Sequence, residues 1–195
     1  MSDRAAGVKG GFAERRGGDH RGHGGGHGGW RHENRHDIGT APCSVGRMRI
    51  AVISDTHDRY PPGLPALLRG ADEIWHLGDV CAPETLAELV PSGVPLQVVR
   101  GNCDDWPAWP LTLDLRRGGV VFHLVHIPPR RAPAGVKVLL HGHTHVPADV
   151  VDEAGVRRLN PGSVSLPRAG VRSFAWLNVD AGHFRWTPVE LREGV

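Results

Sequence analysis

Residues 49–57 read Arg-Ile-Ala-Val-Ile-Ser-Asp-Thr-His, and this stretch decides the fold. Its first six residues form a short aliphatic run, which is typical of a strand buried on both faces. The run ends in the polar residues Asp55 and His57. A helix at 61–69, a strand at 73–77, a helix at 83–90 and a strand at 96–100 are expected to follow. Such alternation predicts a parallel sheet with crossover helices.

Seven further segments beyond Trp109 have strand character and short connections. They are residues 111–115, 120–125, 138–141, 150–152, 156–159, 174–179 and 184–189. Turn residues at 152–155 and 180–182 predict hairpins. The expected fold class is therefore α/β, with a strand–helix half followed by a β-rich half that has few helices.

Residues 1–47 have a different composition from the rest of the chain. They hold 13 of the 27 glycines and 5 of the 13 histidines, with almost no aliphatic residues. Such a segment buries too little apolar area to offset its ordering entropy, so we expect a disordered tail. The histidines could bind metal weakly, but a solvated tail or a wrongly assigned start before Met48 is favoured. The folded part is predicted to be one domain at 48–195.

The overall composition excludes several classes of protein. Charge is nearly balanced, with 23 basic and 21 acidic residues, so neither a nucleic-acid nor a membrane-surface partner is expected. No apolar run has the length of a membrane span or a secretory signal. Cys43, Cys81 and Cys103 are odd in number and far apart, which predicts neither a disulfide framework nor a zinc ribbon. We expect a soluble, cytoplasmic protein, with a homo-oligomer left open.

The strand ends carry the chemistry. Oxygen and imidazole donors stand at five of them: Asp55, His57, Asp79, Asn102, His126, His143 and His145. In open α/β sheets, ligands gather beyond the carboxyl ends of the strands, so these groups can converge. Asp55/His57 and His143/His145 have i, i+2 spacing, which in extended backbone projects both side chains of a pair to one side.

Seven such donors suit two divalent first-row cations. One carboxylate must then bridge the pair, and we predict Asp79, which stands alone at its strand end. Two cations about 3.5–4 Å apart stabilise both the attacking and the leaving oxygen of an in-line displacement and acidify bound water. Hydroxide is then available near neutral pH, and this chemistry suits phosphate esters, whose hydrolysis depends mainly on stabilising charge on the phosphoryl oxygens.

The order Asp-x-His, Gly-Asp, Gly-Asn-x-Asp, His, Gly-His-x-His spans about residues 48–190 and resembles the calcineurin-like metallophosphoesterase superfamily. The Asn102-Cys-Asp104 and Asn160-Pro-Gly-Ser163 segments are similar to its small prokaryotic YfcE-like phosphodiesterase branch. The resemblance implies a four-layer αββα sandwich, in which two facing mixed β-sheets are flanked by helices. It also implies manganese as the first choice of metal, with Fe, Ni, Co or Zn as alternatives.

The resemblance further implies two ligand sets. One metal is held by Asp55, His57, Asp79 and His145, and the other by Asp79, Asn102, His126 and His143. Asp55, His57, Asp79, Asn102 and Asp104 are the expected catalytic residues, Asp104 by orienting Asn102 or a neighbouring histidine. His76, His123 and His141 are expected in the core, and the alternative for His76 is a hydrogen bond to one of the metal ligands.

Two departures from the family pattern stand out. Many members have a histidine, which helps to protonate the leaving group, where this chain has Cys103. A thiol is a poorer acid than imidazole at neutral pH. The second departure is the proline-rich segment 127–135, where members usually have a helix and where Arg130 or Arg131 could reach a phosphate.

Three functions remain open at this stage. A phosphodiesterase with a small phosphate-ester substrate leads, and a phosphomonoesterase or nucleotide pyrophosphatase on the same site is the first alternative. The second alternative is a binding scaffold like the retromer subunit that shares this fold, although all seven ligand positions are filled here.

Overall fold

A computed structural model describes residues 46–168 and 170–192. Almost all of the predicted tail, including Cys43, lies outside these residues. The strands are, in chain order, β1 (Met48–Ile53), β2 (Glu73–His76), β3 (Leu96–Val98), β4 (Thr112–Arg117), β5 (Val120–Val125), β6 (Val138–Leu140), β7 (Ala148–Val151), β8 (Arg157–Asn160), β9 (Arg172–Asp180) and β10 (His183–Leu191). The helices are α1 (Leu64–Leu68) and α2 (Glu84–Leu89). Neither is long and apolar enough to span a membrane.

Two five-stranded sheets form the domain. The first has the order β10-β9-β1-β2-β3, with β1, β2 and β3 parallel and the hairpin β9–β10 antiparallel to β1. The second has the order β4-β5-β6-β8-β7, with β5, β6 and β8 parallel. Every predicted strand and helix is present with small shifts of its ends, and both sheets are mixed, as predicted.

Strand β1 buries both of its faces. Ile50 and Val52 pack with Trp75 and Phe122 in the core between the sheets. Ala51 and Ile53 point the other way and belong to a second core under α1 and α2. A strand covered on both sides has no polar face, which explains the continuous aliphatic run from which the fold was predicted.

The predicted fourth layer is not helical. Within the described residues both helices belong to the core on the first sheet, and segment 127–136 contains no helix. Arg158 of β8 donates to the carbonyls of Pro129 (2.9 Å) and Arg130 (3.4 Å), which ties this segment to the second sheet. Prolines lack N–H donors and clash with helical backbone, so segment 127–136 packs against the second sheet as irregular chain.

Candidate metal centre

The parallel strands β1 and β2 end side by side and begin the site. The Asp55 N–H donates to the Gly78 carbonyl and the His57 N–H to the Asp79 carbonyl, both at 3.0 Å. In the second sheet, the Gly142 N–H donates to the His126 carbonyl at 3.1 Å. The loops that carry the predicted ligands are therefore bonded to one another through backbone groups.

One group of predicted ligands forms a compact cluster. Ligand atoms of Asp55, His57, Asp79 and His145 all lie within 4.8 Å of one another. His145 Nε2 is 3.2 Å from Asp55 Oδ1, and His57 Nε2 is 3.7 Å from Asp79 Oδ2. All four residues are buried except His57, which is partly exposed.

A second group of predicted ligands also contacts Asp79. His126 Nε2 is 3.3 Å from Asp79 Oδ2 and 3.1 Å from Asn102 Oδ1. The His143 ring lies 5.3 Å from the His126 ring, measured between centroids. Asp79 Oδ2 thus faces an imidazole of each group, which is the arrangement that a bridging carboxylate requires. All seven predicted ligands are brought together.

The expected backbone geometry of the paired ligands is wrong. Asp55, His57, Asp79, His143 and His145 have φ between 45° and 65°, which is the left-handed region and not extended backbone. Each lies past the end of its strand, where the chain turns sharply. The two pairs also differ from each other: Asp55 and His57 share a group, whereas His143 and His145 belong to different groups. Non-glycine residues in this region carry strain, which concentrates at functional sites.

The polar atoms of the site are suited to cations. Asp55 is fully buried, and its Oδ2 has no hydrogen-bond partner among the described residues. Burial raises the pKa of the Asp55 carboxyl. Burial also raises that of Asp79, but a hydrogen bond from protonated His126 and one from the Cys103 N–H outweigh it and hold the Asp79 pKa below its usual range. Buried carboxylates and imidazoles of this kind fit divalent first-row metals.

Three histidine nitrogens are aimed at the site by their partners. His126 Nδ1 is 2.7 Å from the Leu77 carbonyl and His145 Nδ1 is 2.5 Å from the Leu166 carbonyl. A carbonyl only accepts, so Nδ1 carries the proton in both rings and the neutral form presents a lone pair at Nε2. His57 Nδ1 contacts the Cys81 thiol at 3.6 Å, which also leaves its Nε2 facing the cluster.

Two glycines allow the loops to approach one another. A Cβ on Gly101 would lie 2.1 Å from Asp79 Oδ1, and one on Gly142 would lie 2.0 Å from Ser54 Oγ. Neither distance is tolerable, and the obstructing atoms belong to the ligand loops themselves. The glycines that precede Asn102 and His143 are therefore required by close packing at the site.

Comparison with known sequences gives the family. The calcineurin-like phosphoesterase superfamily domain matches residues 48–182 of this chain. The chain belongs to this superfamily.

Individual relatives agree with that assignment. A probable metallophosphoesterase of Methanocaldococcus jannaschii is 33% identical over 152 residues, which cover 69% of this chain and 78% of the relative. The structure of Chaetomium thermophilum Vps29 has a TM-score of 0.63 at 20% identity and covers 75% of this chain and 90% of Vps29. The E. coli phosphoesterase YfcE has a TM-score of 0.57 at 23% identity and covers 74% and 100%. At these identities the two structures establish the fold alone.

In this phosphoesterase-superfamily chain, Asp104 has a different role from the one expected. Its carboxylate accepts four backbone N–H groups, from Asp79 (3.0 Å), Val80 (2.7 Å), Cys81 (2.8 Å) and Gly101 (2.7 Å). Within residues 46–168 and 170–192, none of its hydrogen bonds goes to Asn102 or to a histidine side chain. Asp104 instead shapes the turn that carries Asp79, because three successive N–H groups of that turn converge on it.

The superfamily site also depends on residues 160–165, part of which stands out in the sequence only by its similarity to the YfcE-like branch. Ser163 and Ser165 donate through Oγ to the Asp55 carbonyl at 2.9 and 2.8 Å. Asn160 Nδ2 donates to the Gly142 carbonyl and to Thr144 Oγ1, both at 3.0 Å. The Asn160-Pro-Gly-Ser163 motif was the only sequence signal for this support. Through these hydrogen bonds the motif contacts both the loop of Asp55 and His57 and the loop of His143 and His145.

Arg130 and Arg131 do not lie with the predicted ligands. Together with Lys137 and Arg158 they line an open cavity of about 1250 Å³, whose lining includes none of the seven. The structure therefore gives no support to phosphate contact by these arginines.

The other predicted core histidines are buried, as expected. His123 Nδ1 contacts Asp114 Oδ1 at 2.8 Å, and His141 lies against Asn160. His76 is fully buried, and its Nδ1 accepts the Gly78 N–H at 3.1 Å. Its Nε2–H therefore donates to Thr56 Oγ1 at 3.2 Å, and Thr56 in turn donates to the Asp79 carbonyl. Neutral His76 thus links, through hydrogen bonds, the loop that carries Asp55 and His57 to the loop that carries Asp79.

We expect the metal-stripped protein to lose stability in acid through His76. Burial lowers the pKa of His76 from 6.5 to about 3. Between these values the unfolded chain binds a proton that the folded chain excludes, so the free energy of unfolding falls as the pH drops through that window. The slope from this group approaches about 1.4 kcal/mol per pH unit. Urea unfolding at several pH values between 7 and 5 should show that the free energy of unfolding falls more steeply with decreasing pH in the wild type than in His76→Gln. Equal dependence on pH in the two proteins would show that His76 is not its source.

Proposed function

We propose that this protein hydrolyses phosphodiesters with two divalent cations, manganese first among the candidates. The observation that carries the proposal is the position of Asp79 Oδ2, which lies between His57 Nε2 (3.7 Å) and His126 Nε2 (3.3 Å). Membership of the phosphoesterase superfamily supports hydrolysis of a phosphate ester. The choice of a diester substrate, the number of metals and their identity go beyond what superfamily membership supports, and we propose them here.

Two sets of residues would hold the cations. The first is Asp55, His57, Asp79 and His145, and the second is Asp79, Asn102, His126 and His143. When bound, the cations supply an acidified water as the nucleophile and stabilise charge on the phosphoryl oxygens. The chain's own contribution is orientation. Asp79 is held through Oδ1 by the Cys103 N–H (2.8 Å), and His126 and His145 are held by carbonyls at Nδ1.

The leaving group receives little help from this chain. Cys103 stands where many superfamily members have an acid histidine, and it is exposed. Burial and the carboxylates of Asp79 and Asp104 raise the pKa of its thiol. A group that holds its proton this tightly is a weak general acid near neutral pH. We therefore propose a preference for diesters with good leaving groups.

Cys103→His should raise kcat/KM on dialkyl phosphodiesters by about tenfold or more, with a smaller gain on aryl diesters, because only poor leaving groups need protonation. Cys103→Ala serves as the control that removes the thiol without adding an acid. Equal gains on both substrate types would count against this explanation.

The test of the proposal is hydrolysis by metal-stripped protein of bis-p-nitrophenyl phosphate and of p-nitrophenyl phosphate, with and without added Mn²⁺. We expect metal-dependent activity with the higher kcat/KM on the diester. A higher value on the monoester would favour the phosphomonoesterase alternative. If folded, metal-loaded protein hydrolysed neither substrate, the binding-scaffold alternative would gain support.

A further inference from the structure

Two cysteines lie side by side at the rim of the candidate metal centre. The thiols of Cys81 and Cys103 lie within 4.8 Å of each other and of a His57 ring nitrogen. Their spacing in the sequence gave no indication of this contact, because Cys81 follows β2 and Cys103 follows β3. The parallel pairing of these two strands brings the following loops together.

The backbones of both cysteines are fixed by reciprocal hydrogen bonds. The Cys81 N–H donates to Asp104 Oδ1 and the Cys103 N–H donates to Asp79 Oδ1, each at 2.8 Å. Each cysteine is thus anchored to a carboxylate on the other's loop. A disulfide needs about 2.05 Å between the sulfurs, and rotation of short side chains on adjacent backbones can close such a gap.

The pair is also open to reagents. Cys103 is exposed and Cys81 is partly exposed, so a small oxidant in solvent can reach a sulfur. Burial and neighbouring carboxylates raise the pKa of both thiols, so little thiolate is present near neutral pH and closure by peroxide is slow. The thiol contacts are weak: Cys81 Sγ is 3.6 Å from His57 Nδ1, and Cys103 Sγ is 3.4 Å from Asn102 Nδ2. The fold therefore loses little stability when either sulfur turns towards the other.

We propose that Cys81 and Cys103 are a reversible dithiol–disulfide pair that is closed by hydrogen peroxide. One peroxide oxidises the two thiols to one S–S bond; the two thiol hydrogens leave with the peroxide oxygens as two waters. A thiol such as dithiothreitol reverses the reaction by exchange. Closure turns the sulfurs away from His57 and Asn102, and it clamps the loops that carry Asp79 and Asn102.

The consequence for hydrolysis rests on the proposed function. Asn102 adjoins Cys103, and His57 loses its Nδ1 contact when Cys81 turns away. Misplacement of a ligand by a fraction of an ångström lowers the rate, so we expect closure to reduce hydrolysis by about tenfold or more.

The covalent step is tested on full-length protein with the third cysteine removed by Cys43→Ser. Peroxide treatment is followed by thiol blocking, trypsin digestion without reductant and mass spectrometry. Arg100 lies between the two cysteines, so trypsin places them in separate peptides, 70–100 and 101–116. We expect these peptides to be joined by one disulfide within a monomer and to separate after dithiothreitol. Blocked free thiols, or sulfinic acids without the linked pair, would overturn the proposal.

The effect on activity is tested as a ratio within each variant. The rate after peroxide divided by the rate before it should fall about tenfold in the Cys43→Ser protein and recover with dithiothreitol. The same ratio should stay near one in Cys43→Ser/Cys103→Ser, whatever the starting rate of that variant. If the ratio fell equally in both proteins, the loss of activity would be assigned to metal oxidation, and the proposed control of hydrolysis by the Cys81–Cys103 disulfide would be wrong. If the reduced protein hydrolyses nothing, the proposed function fails, while the linked peptides still decide whether the pair closes.

Discussion

Asp79→Asn is expected to reduce kcat/KM on bis-p-nitrophenyl phosphate by about a thousandfold, or roughly 4 kcal/mol of transition-state stabilisation. The substitution keeps the shape of the side chain. Its Oδ1 can still accept the Cys103 N–H at 2.8 Å, so the fold should persist. Its Nδ2, however, would place a donor where Oδ2 faces His57 and His126, and it would occupy the His126 lone pair. A single change therefore weakens both cation sites.

The decisive measurement is the metal content of Asp79→Asn, determined together with its hydrolysis rate. We expect Asp79→Asn to retain less than half of the metal that the wild type binds, with unchanged circular dichroism. Asp180→Asn is the matched control, since Asp180 is exposed and follows Val179, which pairs with Met48 at the start of β1, whereas the candidate metal centre lies beyond the end of β1. Full metal content in Asp79→Asn would refute the bridging role, even if the rate fell.

Asp104→Asn should destabilise the protein by about 3 kcal/mol, because four backbone donors depend on its two oxygens. Oδ2 accepts the Asp79 and Gly101 N–H groups, and Oδ1 accepts those of Val80 and Cys81. An asparagine amide in either position would point its hydrogens at two N–H groups. The Asp79 turn would open, so activity should fall together with stability.

Urea unfolding measures this loss as a lower midpoint at an unchanged m-value. Asp105→Asn removes an equal charge from the next residue, which is exposed, and provides the control. A destabilisation of Asp104→Asn no larger than that of Asp105→Asn would show that the four hydrogen bonds contribute little.

The strands and the positions of the predicted ligands at their ends could be read from the sequence for a common reason. Aliphatic runs such as 49–54 must be buried, and polar residues directly after them must lie at the strand ends, so both follow from local pattern. The superfamily resemblance added the separation of His143 from His145, which spacing alone assigned to one site. The rule for extended strands applies to neither pair, since Asp55, His57, His143 and His145 all have positive φ, and only the contacts of the folded loops separate His143 from His145.

Other features depend on contacts that no local pattern records. The four amides on Asp104 and the neighbouring thiols of Cys81 and Cys103 arise only when the loops after β2 and β3 meet. The absence of a helix in segment 127–135 follows from its prolines, which disfavour helical backbone, whereas the family resemblance implied an outer helix there.

The support of Asp55 has a consequence for folding. Its carbonyl accepts the hydroxyls of Ser163 and Ser165, which follow it by 108 and 110 positions in the chain. Contacts of such long sequence separation form late, because a large loop must close first. A chain still emerging from the ribosome therefore contains Asp55, His57 and Asp79 well before it can hold them in place. Capture of the ions should follow folding of the last third of the chain and cannot nucleate it.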